Sequence, residues 1–353
     1  VIAQVVLVVA VAAVGPVVLR SGERVAPDAV EGVDAQGVLL KPSFGPEGVI
    51  PERRVVPWVE VASVGDGPGW GEAEPYREIA DALDRAERRL ARSDVAGARR
   101  LLEPLAGTYL GGHGPTTAQV ASALAACRVL RDDRPGAVRA WLVWRETTLG
   151  PARAWLDPST GLMPALPPVW RRADALAVAA SFSAAGEVAD GRATGEVSRE
   201  LASMYELAAR HAAGEDVVLA EGPSTRLRAD AGVRLVWEMV RAQVDAEPAG
   251  RQSARDALRR RLRGHPTDWE AAWVRLGLGA SLLAEPERTE ADAGAAELLI
   301  VVFEHQDAAP GIADLAAAMA VEHFESTDRP EHARAVRAMD RAARMGLVPA
   351  SGG

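Results

Sequence analysis

The sequence predicts a mainly α-helical protein, a stack of helical hairpins (an α-solenoid) preceded by a small antiparallel β module. Three observations predict it. Apolar residues recur at alternate positions before a glycine-rich stretch near residue 65, and with the period of an α-helix after it. The helical segments come in pairs whose joints repeat one another. No motif of catalytic or cofactor chemistry interrupts them.

The chain opens with an apolar stretch. Val1 to Leu19 carries no charge, and Val5 to Val14 is continuously apolar. Ala10-Val11-Ala12 and Val11-Ala12-Ala13 both fit a small-residue cleavage site, with Gly15-Pro16 to break a helix just beyond. That is the layout of a secretory signal peptide, so the mature chain is expected to begin between Val11 and Gly15. The alternatives are a retained anchor helix over residues 1–19, nearly long enough to span a bilayer, or a buried core segment. Residues 1–20 are therefore set apart as leader or anchor. The protein is expected to be exported, in the periplasm or cell envelope, touching a membrane only through this segment.

Composition bounds the rest. A chain of 353 residues, 48% hydrophobic and 25% charged, can bury one large core or two smaller ones. Its cations are arginines apart from Lys41, a bias that GC-rich coding explains without reference to function. The net charge of -9 repels phosphate backbones at long range and argues against nucleic acid as a partner. The densest basic run, Arg259-Arg260-Arg261 with Arg263, reads as a solvated helix face. Cys127 is the only cysteine, so neither an intrachain disulfide nor a cysteine zinc site can form. It shares a stripe with Val120, Ala123, Leu124 and Leu130, the setting of a buried, inert thiol.

Residues 21–64 form the β module. Short runs such as Val38-Leu39-Leu40 and Val55-Val56 are punctuated by Asp34-Ala35-Gln36-Gly37, Pro42-Ser43-Phe44-Gly45-Pro46 and Pro51, which predicts three to five antiparallel strands from residue 24 onward. The order Val33-Asp34-x-x-Gly37-Val38, then Val56-Pro57-Trp58-x-x-Val61, resembles small SH3-like or Sm-like half-barrels found beside export signals in bacterial proteins. Strands this short bury too little to stand alone, so support from the helices is expected. Residues 65–73, with Gly65-Asp66-Gly67-Pro68-Gly69, read as a linker.

The helical domain is assigned to residues 74–347, and 348–353 to a disordered tail. Tyr76, Ile79, Leu83, Ala86 and Leu90 form one stripe; Val233, Val236, Trp237, Val240 and Val244 another; Trp269, Trp273, Leu276, Ala280 and Leu283 a third. Each matches a helix burying one face, which makes Trp273 a core residue. Leu298 to Phe303 is apolar throughout and is read as a fully buried helix. Asp94-Val95-Ala96-Gly97 and Asp133-Arg134-Pro135-Gly136 occupy the same place in two pairs 39 residues apart, and Asp328-Arg329-Pro330 matches them again. Trp273-x-x-Leu276-Gly277-x-x-Ala280, after His265-Pro266, resembles the first helix of a tetratricopeptide repeat. That resemblance, over residues 74–150 and 250–347, implies stacked helix pairs whose small residues allow close approach.

Residues 151–170 break the pattern with Trp155-Leu156-Asp157-Pro158-Ser159-Thr160-Gly161 and then Pro164, Pro167 and Pro168. Such a segment is either a strap packed over neighbouring helices or a ligand loop, with Trp155, Asp157 and Trp170 as candidate binding residues. Elsewhere, Gly111-Gly112-His113-Gly114 follows a helix and reads as an inter-pair loop, not a phosphate cradle. Glu304-His305, Glu322-His323 and Glu331-His332 could ligate zinc or move protons, but adjacent helical residues diverge by about a hundred degrees. His323 continues an apolar stripe, and His305 and His332 are expected at the surface. No catalytic residue, metal ligand or cofactor is assigned. The function expected is a scaffold binding an unidentified protein or peptide partner in the bacterial envelope. The rival readings are an envelope enzyme with a pocket beside Asp157, and a purely structural envelope protein. An open groove lined by asparagine, arginine or aromatic side chains would favour the scaffold.

Overall fold

The computed structural model describes residues 16–41, 54–64, 73–147, 156–189, 195–219, 222–306 and 310–344. The chain is mainly helical, with a small antiparallel β region first and helical hairpins after it. It divides into two compact units, Val1–Pro151 with Val188–Thr194, and Ala152–Glu187 with Gly195–Gly353.

The first unit holds strands β1 (Val17–Leu19), β2 (Arg24–Val25), β3 (Val30–Asp34), β4 (Gly37–Leu40), β5 (Val55–Pro57) and β6 (Val61–Val64). They form two three-stranded antiparallel sheets, ordered β2-β1-β6 and β3-β4-β5. The sequence assigns everything up to residue 20 to a leader or anchor, but β1 takes the end of that stretch. Val17 pairs with Val25 on one side and Val64 on the other. Val17 and Leu19 are buried and Val18 half-buried, the alternation of a strand. The β module therefore begins by Val17 and not at residue 21. Residues 1–15, with the expected cleavage sites, lie outside the described residues, as do 42–53, most of the 65–73 linker and the 348–353 tail.

The β core is completed by a helix. Trp58 is fully buried and stacks on Tyr76 of α1 (Glu74–Ala91), ring centroids 5.2 Å apart, with Ala73 and Ala80 in the same cluster. Sheets of two to five residues per strand are marginal alone, so α1 supplies the missing wall. A second tie comes from the β3–β4 turn, where Asp34 Oδ1 accepts from the amides of Gln36 (2.7 Å) and Gly37 (3.1 Å). Gln36 at its tip reaches α3 (Pro115–Val129). Its Oε1 accepts from Thr117 N at 3.0 Å, and its carbonyl from Thr116 Oγ1 at 2.6 Å. Gly114, the residue before this helix, has no side chain to cap it, and Gln36 does so from a distance. A Cβ on Gly114 (φ +128°) would meet the Gln36 side chain, so the glycine-rich loop is the seat of that clamp.

Helix pairs follow. In the first unit α1 packs on α2 (Val95–Tyr109), both meet α3, and α3 packs on α4 (Arg134–Thr147). The two expected joints share one geometry. Asp94 N donates to Arg89 O and Asp133 N to Arg128 O, with left-handed Ser93 (φ +60°) and Asp132 (φ +61°) one residue earlier. Each aspartate then caps the next helix, at Gly97 N (2.9 Å) and Gly136 N (3.1 Å). The third joint is displaced by one residue from the sequence match. Arg329 N donates to Phe324 O and Asp328 is the left-handed residue, so Arg329 holds the place of Asp133. Cys127 is buried, which raises its thiol pKa.

The second unit contains α5 (Arg172–Ala189) as far as Glu187, α6 (Glu196–Ala212), the short α7 (Thr225–Arg228), and then α8 (Ala231–Val244), α9 (Pro248–Arg263), α10 (Asp268–Leu283), α11 (Arg288–Glu304), α12 (Pro310–Ser326) and α13 (Pro330–Arg344). Hairpins α8–α9, α10–α11 and α12–α13 stack in order: α8 meets α10 and α10 meets α12, while α9 and α11 each touch the helix that follows. Small residues set the spacing. A Cβ on Gly277 would press on Met239 of α8 at 3.1 Å, and one on Gly279 would lie 3.0 Å from the Gly294 carbonyl of α11. Trp273 is fully buried, edge-on to Trp269 at 5.4 Å. Leu298 to Phe303 is helical but not buried throughout: Leu298, Val301 and Val302 face inward, whereas Phe303 is half-exposed, as the helical period dictates.

Residues 156–170 are a strap in this unit. Leu162, Met163, Leu166, Val169 and Trp170 are buried. Prolines offer no N–H, so the strap presents carbonyls that need donors. Tyr205 of α6 donates to Leu166 O, Gln243 of α8 to Pro168 O at 3.3 Å, and Trp273 of α10 to Pro164 O at 2.6 Å.

Candidate peptide-binding cleft

The strap accounts for two of the three sequence-predicted binding residues. Trp170 is buried and its indole N–H donates to Tyr205 O at 3.3 Å, so it packs the strap down. Asp157 Oδ1 accepts from the amides of Ser159 (3.0 Å) and Thr160 (2.9 Å) and from both hydroxyls, closing the turn that starts the strap. Its carboxyl lies below the usual range: burial opposes this, and the four hydrogen bonds outweigh it. Trp155 lies outside the described residues.

The three Glu-His pairs are distributed among separate partners. Glu322 binds Arg171 at 2.8 Å, while His323 lies 3.0 Å from Asp292 and 2.9 Å from Arg329. Glu331 and His332 touch each other at 3.0 Å on the surface, despite their divergent directions on the helix. His305 is not at the surface as expected. It is 9% exposed, and neither ring nitrogen has a partner among the described residues. Burial lowers its pKa, and the neighbouring Arg275 guanidinium lowers it further. Among the described residues no three His, Cys, Asp or Glu side chains gather as metal ligands would, and no helix is long and apolar enough to cross a membrane.

A different surface of the second unit carries a convergent arrangement. A cleft of about 580 Å³ opens between α7, α8 and α9, and includes Leu219 and Gly222 from the preceding segment. Local sequence builds it. Ser224 caps α7, and Leu227 is buried and holds that turn down, which leaves Arg228 exposed. Asp230 caps α8 by accepting from Val233 N at 2.9 Å. Along α8, Val233, Val236, Val240 and Val244 are buried, whereas Arg234, Trp237, Glu238, Arg241 and Asp245 line the cleft at helical spacing. The sequence stripe places Trp237 with the core valines; it is only half-buried and sits on the border between the two faces. A Cβ on Gly222 would lie 2.6 Å from the Trp237 ring and 2.9 Å from Arg228 Nη2, so this glycine lets the chain lie against both. From α9 come Ser253, Ala254, Ala257 and Arg260, small residues with one cation at the end.

The charges divide into two sets. Among the described residues the cleft's two carboxylates are engaged: Glu238 binds Arg261 at 2.5 Å, and Asp245 binds Arg241 at 3.0 Å. Arg228, Arg234 and Arg260 are exposed and have no ion pair among the described residues. The basic run 259–263 is therefore not one solvated face. Arg259 pairs with Asp256, Arg261 is held between Glu238 and Glu270, and Arg260 lines the cleft. On the inner side of the same helix, Arg255 is nearly buried and donates to Ser281 Oγ (2.8 Å), Ser281 O (3.0 Å) and Glu285. Arg251 also binds Glu285, at 2.9 Å, and its guanidinium is the first cause holding that carboxyl below its usual pKa.

The cleft thus presents a half-exposed indole and three guanidiniums that have no ion pair among the described residues. Such a set can pair with anions and stack apolar or aromatic groups. Sequence reasoning missed it, although the Arg-Trp-Glu-Arg-Asp stripe was present. No protein-family model matches this chain, and neither does any curated protein or solved structure.

Proposed function

We propose that this protein is an exported helical-repeat scaffold that holds a protein or peptide segment in the cleft between α7, α8 and α9. One observation carries the reading: Arg228, Arg234 and Arg260 stand around Trp237 in an open cleft, with the acidic side chains there already engaged. An enzyme site encloses its reacting groups away from water, whereas this surface leaves its donors outward, as interfaces rich in arginine and tryptophan do. The stacking of α8 on α10 and α10 on α12 supports the tetratricopeptide-like part of the reading, because such stacks commonly grip extended segments. The uncharged apolar stretch Val1–Val14 supports export to the bacterial envelope.

The test is a selection from a random peptide library displayed on phage, run on the full chain and on Arg234→Glu/Trp237→Ala. The expected result is a consensus on the parent that disappears on the variant. A consensus retained by the variant would place the binding surface elsewhere; no consensus on either would remove the peptide-binding reading.

A further inference from the structure

We propose that the segment this cleft takes is an acidic, unphosphorylated peptide, its carboxylates pairing with Arg228, Arg234 and Arg260 while an apolar neighbour packs on Trp237. The inference rests on the peptide-binding reading above and names its ligand chemistry.

Charge complementarity selects the sign. The other arginines of α8 and α9 mostly find partners within the fold: Arg241 (also in the cleft) with Asp245, Arg251 and Arg255 with Glu285, Arg259 with Asp256, Arg261 with Glu238. Those lining the cleft with no carboxylate partner among the described residues are Arg228, Arg234 and Arg260, one from each of its three helices. Guanidinium forks match carboxylates in two parallel hydrogen bonds, and an exposed site gains from them only when the partner supplies the opposite charge.

Geometry selects a peptide over phosphate. Converging backbone amides at a helix N-terminus are one common grip for a phosphate, and arginine forks are another. Here one such amide of each helix is already occupied, Val233 N at α8 by the Asp230 carboxylate and Leu227 N at α7 by the Ser224 hydroxyl. The cations are instead distributed over three elements along a cleft of about 580 Å³, within the range of sites that enclose much of a ligand's surface. Trp237, Leu219, Ala254 and Ala257 add an apolar wall, which an inorganic anion would not use. The net charge of -9 also opposes a long polyanion, but hardly affects a short acidic segment beside a local cluster of arginines.

The experiment is calorimetric titration of the full chain with three probes. They are a blocked pentapeptide of four glutamates around a central phenylalanine, its all-glutamine counterpart, and inorganic phosphate. The glutamate peptide is expected to bind, and the glutamine peptide to bind at least about tenfold more weakly. Arg234→Gln and Arg260→Gln should each weaken the glutamate peptide by about tenfold, as lost charge-assisted hydrogen bonds do, with unchanged thermal unfolding. Arg100→Gln, an exposed arginine of the other unit, should leave it unchanged. Equal binding of the two peptides through Trp237 would overturn the acidic assignment and leave the peptide-binding reading standing. Phosphate competing at similar concentration would make the cleft a general anion site and overturn the proposal. If neither peptide binds while the phage selection yields a Trp237-dependent consensus, the ligand chemistry alone is wrong; failure of both removes the two readings together.

Discussion

Arg255 and Arg260 stand on the same helix and face opposite surroundings. Arg255 is nearly buried, and Ser281 and Glu285 supply its partners from the next hairpin, with a Glu290 oxygen at 3.7 Å. Arg260 faces the cleft, exposed and without an ion pair among the described residues. The difference teaches that burial of a cation sets a demand which the fold itself must meet, while exposure leaves the demand to solvent or to a ligand. The first kind of arginine serves stability; the second is the kind that the proposed function assigns to recognition.

The largest test of that division is Arg255→Ala. Removing it strands Glu285 with one partner and empties a buried site, so unfolding in urea should show a loss of about 3–5 kcal/mol. A loss no greater than that of an exposed arginine would break the comparison. Next comes Trp273→Phe, which keeps a ring in the core but deletes the donor to Pro164 O. An unsatisfied carbonyl at a half-buried residue costs up to about 1–3 kcal/mol, measurable in the same way; a neutral result would mean that the strap does not depend on that bond.

His305 sharpens the division, being buried with no partner for either ring nitrogen among the described residues. Its folded pKa lies below the ordinary 6.5 because burial disfavours the imidazolium. Between that lowered value and 6.5 the unfolded chain binds more protons than the folded one, so stability falls as pH drops through this window. His211 is shifted in the same direction, by burial and then by Arg251. Urea midpoints should therefore decline from pH 7 towards pH 5, and His305→Leu should flatten part of that slope. An unchanged slope would mean that His305 is protonated equally in both states. The smallest effect belongs to Arg260→Gln, whose stability should stay within about 0.5 kcal/mol of the parent. A larger loss would place Arg260 with Arg255 and remove it from the cleft's recognition set.

The parts of this fold that sequence reveals are those with local causes. Asp94 and Asp133 cap helices that begin one residue later, and the chemistry of a cap is written within four residues. The displaced third joint shows the limit: Asp328-Arg329-Pro330 matches Asp133-Arg134-Pro135 in letters, yet the left-handed residue that ends the helix fixes a register one position away. Strand β1 is hidden for another reason, since Val17-Val18-Leu19 continues an apolar run and only pairing with Val25 and Val64 makes it a strand. The cleft is the least legible part. A stripe of Arg234, Trp237, Glu238 and Arg241 reads the same whether water or a neighbouring helix faces it. The decision is made by Gly222 and the small residues of α9, which are distant in sequence.

Stacks of helix pairs deform like springs, because each pair touches only its neighbours and every interface can flex independently. The strap alters that mechanics in the second unit. Leu166, Pro168 and Pro164 are fastened to α6, α8 and α10 in turn, so any rotation between two of these layers must stretch fasteners on the same backbone. Three layers that would otherwise be separate hinges become one stiff plate, and α8, a wall of the cleft, lies in the middle of it.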